Sequence, residues 1–170
     1  PIEIIASRFN QKVLFSDIKY RKDVNIDLST FNDDWQQRQS KAYKSFKLYA
    51  VTFNGKTNFV RNIVRGNMAA NQCNFNAPVK FTYNQFELPI SFDNNTFNQL
   101  SSFNHSRFRN TTSFQNSIFK KPATFVSSEF DGPITNFSNV HFMMGADFSN
   151  SIINGDLNFE NVSSPNKVID

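Results

Sequence analysis

The clearest pattern in the chain is a single large apolar residue returning every five or six positions, with polar residues between. From residue 81 onward Phe stands at 81, 86, 92, 97, 103, 108, 114, 119, 125 and 130, so the steps alternate five and six without a break. One extra residue enters at Asp131-Gly132-Pro133-Ile134-Thr135-Asn136, and the series resumes at Phe137, Phe142, Phe148, Ile153 and Phe159. Backwards from Phe81 the same steps reach Phe75, Ala70, Val64, Phe59, Phe53 and Leu48. Further back they reach Phe31, Ile26, Tyr20, Phe15, Phe9 and Ile4. Two successive steps, five plus six, make the full period. A right-handed helical coiled coil shares that period, but it needs apolar residues three and four apart, and the intervening Asn, Ser, Thr and Gly-Pro are poor helix residues. A flat strand would alternate with period two. A period of five to six predicts a short extended segment plus a bend, repeated so that one large side chain per unit always faces the same axis.

A second column lies two residues before each apolar stop, where small residues recur: Ser7, Ser29, Cys73, Ser101, Ser106, Thr112, Ser117, Ala123, Ser128, Thr135, Ala146 and Ser151. A small residue fits beside a large one in a narrow interior. Units such as Ala146-Asp147-Phe148-Ser149-Asn150 and Ser128-Glu129-Phe130-Asp131-Gly132 resemble the pentapeptide-repeat family, in its Phe-rich form with alternating five and six spacing. The resemblance covers roughly residues 1–31 and 48–164. It implies an all-β chain folded as a right-handed quadrilateral β-helix, with four repeats per coil. At about 22 residues per coil, about seven coils at the strand spacing of ~4.8 Å would make a rod about 35 Å long. Phe and the small residue would point inward, and a buried Phe ladder at about 2 kcal/mol or more per ring would dominate stability.

The domain reading is one solenoid over 1–164, interrupted at 32–47, with a tail at 165–170. From Phe31 to Leu48 the register survives as steps of six, five and six, but the stops are Gln37 and Ala42, weak fillers of an apolar interior. The stretch 32–47 also opens with Asn32-Asp33-Asp34 and ends in Lys, as a helix dipole prefers, and Trp35, Ala42, Tyr43 and Phe46 would share one helical face. This predicts a short helix near 33–46 leaning on or projecting from the rod, with degenerate coils as the alternative. The extra residue at Gly132-Pro133 reads as a bulged turn. Nothing obvious caps the last coil, so an uncovered strand edge there admits a homodimer through a coil end.

Composition narrows the chemistry. Phe occurs 21 times among 170 residues, while Trp occurs once and Gly five times. One cysteine, Cys73, excludes an internal disulfide and a cysteine-based zinc site, which favours a cytoplasmic setting over an oxidising one. Cys73 sits in the inward small slot and reads as a buried inert thiol. His105 and His141 face outward in this register and have no metal or triad spacing. The expectation is therefore no enzyme, no cofactor and no metal. No apolar run approaches the length of a membrane span.

The net charge of +4 is unevenly spread. Between Trp35 and Phe86 stand Arg38, Lys41, Lys44, Lys47, Lys56, Arg61, Arg65 and Lys80 with no acid, whereas from Pro122 onward six acids face Lys167 alone. Trp35, Arg38, Lys41, Tyr43, Lys44, Lys47, Arg61 and Arg65 are accordingly the candidate interaction surface, and an unidentified protein is the expected partner of a rigid scaffold. Nucleic-acid binding through the basic 35–86 stretch is the rival, disfavoured because the Phe are spent on the core and leave no evident stacking platform. Some members of the pentapeptide-repeat family resemble DNA and occupy the DNA site of a type II topoisomerase. That role needs acidic faces, which the charge of +4 disfavours. Binding to an ordered surface such as ice needs Thr on a flat face in every coil, and Thr111, Thr112, Thr124 and Thr135 do not keep that spacing.

Overall fold

A computed structural model describes residues 1–165. They form four parallel sheets, which the chain visits in turn. Face 1 runs from strand Ile2–Ile5 to Asp156–Asn158 and has eight strands. Face 2 runs from Arg8–Phe9 to His141–Phe142, face 3 from Val13–Ser16 to Ala146–Asp147 and face 4 from Lys19–Tyr20 to Ile152–Ile153, each with seven. Seven coils result, at 2–20, 24–42, 46–64, 68–86, 90–108, 112–130 and 134–153. Most paired residues stand one constant interval apart, as in Ile4↔Ile26 and Phe53↔Phe75. From Thr112↔Thr135 the interval is one residue longer, because of the extra residue at Gly132-Pro133.

Every apolar stop of the five-and-six series points inward. Face 2 is Phe throughout, and its rings stack coil on coil at 4.4–5.2 Å between centroids. On faces 1, 3 and 4 the later coils also supply Phe, so Phe81, Phe92, Phe103 and Phe114 meet edge to face across the interior. Such offset and edge-to-face pairs suit the ring quadrupole.

The predicted helix at 33–46 is absent. That stretch forms strands Trp35–Arg38 and Lys41–Ala42 and enters Phe46–Tyr49, with Gln37 and Ala42 at inward stops. Weak fillers are tolerated because the large side chains have moved two residues earlier. Trp35 fills the space beside Gln37 against Phe53 and Phe59, and Phe46 lies between Tyr20 and Phe59. Gln37 is satisfied by the Tyr20 hydroxyl, which donates to its Oε1 at 3.0 Å. The spacing of Trp35, Ala42 and Phe46 imitates a helical stripe because inward slots on adjacent faces fall one or two helical turns apart along the chain. Of the expected tail at 165–170, only Pro165 lies within the described residues.

The small inward slots do more than make room. At the corner into face 4, Asn62 and Asn84 each accept the backbone N–H of the preceding coil, Ser40 N at 3.0 Å and Asn62 N at 2.9 Å. Each also donates Nδ2 to a carbonyl of that preceding coil, on Gln37 and Phe59. Ser106 and Ser128 repeat both bonds in the next coils. A corner N–H and a buried carbonyl are thereby given partners, as buried backbone groups require.

Each corner into face 2 or face 4 also holds one residue at positive φ, recurring at the full period from Ala6 and Asp17 to Asn161, with one longer step at the insertion. From Asn94 onward Asn mostly occupies it; earlier coils place Leu28, Gln39, Gln72 and Tyr83 there. Left-handed backbone costs a side chain roughly 1–2 kcal/mol, and Asn tolerates it best. Leu28 is 61% exposed and gains little from packing. Leu28→Asn should therefore raise stability by up to about 1 kcal/mol, read as a higher urea midpoint; a fall would show that Leu28 is held by packing. At another corner Gly66 is required, because a Cβ would lie 2.1 Å from the Lys44 carbonyl of the coil beneath.

Candidate functional site

One coil visits all four faces, so cations contiguous in sequence are dispersed around the rod. Arg38 ends a face-3 strand, and Arg61 occupies the corner after face 3 in the following coil. Lys41 is outward on face 4, paired in register with Lys19, and Tyr43, Lys44 and Arg65 follow face 4 toward face 1. Lys47 is outward on face 1. These seven are exposed. Trp35 is fully buried and cannot belong to a surface, because its ring supplies the volume that Gln37 and Ala42 do not.

Faces 3 and 4 of coils two to four carry the concentrated charge. On face 3, Gln36, Asn58 and Lys80 stack in one outward column. Together with Arg38, Arg61 and Tyr83 they line an open groove of about 340 Å³ without a carboxylate. The Arg61 guanidinium lies 5.4 Å from the Tyr83 ring centre, and Tyr83 stacks on His105 at 4.7 Å and 14°. On face 4 the Arg65 guanidinium lies 5.4 Å from the Tyr43 ring. Both pairs are cation–π contacts. The Tyr83–His105 pair is an exposed aromatic platform beside three cations. Sequence reasoning missed it because the two rings stand one full coil apart in the chain; that interval was the signal that could have found it.

Farther along the rod two arginines are neutralised by carboxylates. In coils five and six, Arg107 Nε lies 2.8 Å from Glu129 and 2.9 Å from Asp131, and Arg109 lies 3.5 Å from Glu87. The hydrogen bond from Arg107 holds the Asp131 carboxyl below the usual carboxylate range. Among the described residues no ion pair engages Arg38, Lys41, Lys44, Arg61, Arg65 or Lys80. One carboxylate, Asp23, stands near Lys44 and Lys47. It is held below its ordinary range chiefly by the Ser45 hydroxyl and then by the Ser45 amide, and less by the two lysines.

The other reactive groups lie apart. Cys73 is fully buried, and burial pushes its thiol up to about 12, so almost no thiolate forms near neutral pH. His141 Nδ1 lies 2.6 Å from the Ser163 hydroxyl on the surface. No three His, Cys, Asp or Glu side chains among the described residues converge to hold a metal, and no helix among them is long and apolar enough to cross a membrane.

Residues 114–163 match the family model for pentapeptide repeats (9 copies). Searches of curated proteins and of solved structures returned no match. The matched segment continues, coil on coil and in one register, into the strands that precede it back to Ile2. Residues 114–163 thus carry the pentapeptide-repeat pattern, and the coils before them continue the same four-sided parallel β-helix.

Proposed function

We propose that the protein is a non-catalytic interaction module, a rigid rod that offers the unpaired cations on faces 3 and 4 of coils two to four to an acidic protein surface. The observation that carries this reading is the contrast in charge pairing. Arg107 and Arg109 are neutralised within the rod, while Arg38, Lys41, Lys44, Arg61 and Arg65 keep their field for a partner. Cations held on a stiff lattice steer an oppositely charged partner and lose little freedom on binding. A second copy of the chain is the other protein this surface or a coil end admits.

The Tyr83–His105 stack beside Arg61 favours a second reading, single-stranded nucleic acid along face 3. A basic groove edged by surface aromatic rings is what sequence-tolerant strand binding uses. Affinity capture from native lysate separates the two. The intact chain should retain a protein that the variant with Lys41, Lys44, Arg61 and Arg65 all changed to Glu loses at least tenfold. Nucleic acid in the eluate, released at moderate salt and lost with Tyr83→Ala, would replace the protein reading. A partner retained equally by the charge-reversed variant would refute both.

A further inference from the structure

We propose that face 2, between residues 30 and 98, is a binding face for the ordered water of an ice surface. The residues that carry this are three Thr-Phe-Asn triplets, Thr30-Phe31-Asn32, Thr52-Phe53-Asn54 and Thr96-Phe97-Asn98, with Asn74-Phe75-Asn76 in the remaining row. Thr30 and Thr52 stand in adjacent rows, and Thr96 stands two rows beyond Thr52 with Asn74 between. In each row Phe points inward and the flanking residues point outward, and the rows are hydrogen-bonded in register. Two straight columns of uncharged polar side chains result. Arg8 and Lys120 mark the ends of the columns, and Asp33 and Lys56 lie beyond the corner.

Three properties suit this face to a lattice rather than to a flexible ligand. It is regular: the Phe rings beneath these rows stack nearly parallel, inclined by only 2–9°. It is pre-organised, because Asn10, Asn32, Asn54, Asn76 and Asn98 form a ladder in which each Nδ2 donates to the Oδ1 of the Asn one coil before, at 2.7–2.9 Å. Each ladder Asn still has an N–H and a lone pair for solvent. It is also available, since the hydroxyls of Thr30, Thr52 and Thr96 have no hydrogen-bond partner among the described residues.

The dimensions agree with the ligand. Tetrahedral water joined by hydrogen bonds of about 2.75 Å repeats at about 4.5 Å between second neighbours and about 7.3 Å along the hexagonal axis. The face repeats at about 4.8 Å between rows and about 6.7 Å between the two columns of a row. Over three row steps the mismatch accumulates to about 1 Å, which rotation of the Thr hydroxyls and a small array can absorb.

Fluorescently labelled protein is grown into a single ice crystal and the habit of small crystals is recorded. Intact protein should concentrate in defined crystal planes and produce facets. Thr52→Tyr and Thr96→Lys, which project from the face without entering the core, should each be excluded from the ice while their thermal midpoints stay unchanged. The variant with Lys41, Lys44 and Arg65 changed to Glu should enter as the intact chain does. Exclusion of the intact protein, equal uptake of Thr52→Tyr and Thr96→Lys, or loss of uptake in the charge-reversed variant would each overturn the assignment.

Discussion

Replacing Phe103 by alanine should lower the free energy of unfolding by about 3–5 kcal/mol. Phe103 is fully buried in the fifth coil, with stacked rings on either side along face 3, Phe81 at 5.7 Å and Phe125 at 5.1 Å. Phe92, Phe97, Phe114 and Phe119 meet it edge to face. These surrounding rings cannot all move into the vacancy, because each is fixed by its own strand, so the lost transfer energy is joined by a cavity term. Phe9, half-buried in the first coil, has Phe31 on one side only, and Phe9→Ala should cost less than half as much. Urea unfolding of the two variants checks the pair. Equal losses would show that the interior ladder is not continuous.

Asn84→Leu should cost a comparable amount, about 3–5 kcal/mol, although it exchanges a polar side chain for an apolar one of similar volume. Asn84 Oδ1 accepts from Asn62 N at 2.9 Å and from Asn62 Nδ2 at 3.2 Å, and Asn84 Nδ2 donates to Phe59 O at 2.7 Å. Leucine would leave the Asn62 N–H and the Phe59 carbonyl buried without partners, each at about 1–3 kcal/mol. Serine should restore most of the loss, because Ser106 and Ser128 perform both roles in the equivalent slots of the next coils. If Asn84→Leu and Asn84→Ser proved equally stable, the inter-coil bridge would contribute nothing.

The interior was legible in the sequence because one residue type marks it: Phe fills every stop from Phe75 to Phe148 and sets the register with no information from contacts. The passage from coil two into coil three was not, because there the volume sits on Trp35 and Phe46, two residues before the stops Gln37 and Leu48, and polar Gln37 occupies a position that the pattern reserves for a ring. The bridging role of Ser106 and Asn84 could not be read from residue size, since it depends on which carbonyl one full coil of chain brings beneath each slot. The positive-φ corners are visible in Asn94, Asn116, Asn139, Asn150 and Asn161 but silent in Leu28 and Tyr83, whose types give no hint of a left-handed backbone. Surface relationships were least legible. Arg38, Lys41 and Lys47 are neighbours in the chain yet belong to three faces, whereas Thr30, Thr52 and Thr96, far apart in the chain, share one.

Coils two and three are integral to the rod, so their cations are held on a fixed surface and not on a projecting helix. Amide hydrogen exchange tests this directly, since opening free energies differ between core strands and loosely attached segments. The amides of Trp35, Lys41 and Phe46 donate to Lys56 O, Ile18 O and Asn67 O of adjacent coils at 2.8–2.9 Å. They should be protected to the same degree as those of Phe81 and Phe103. Exchange across 33–46 at the rate of an unstructured peptide, or with the periodic protection of a helix, would contradict the account.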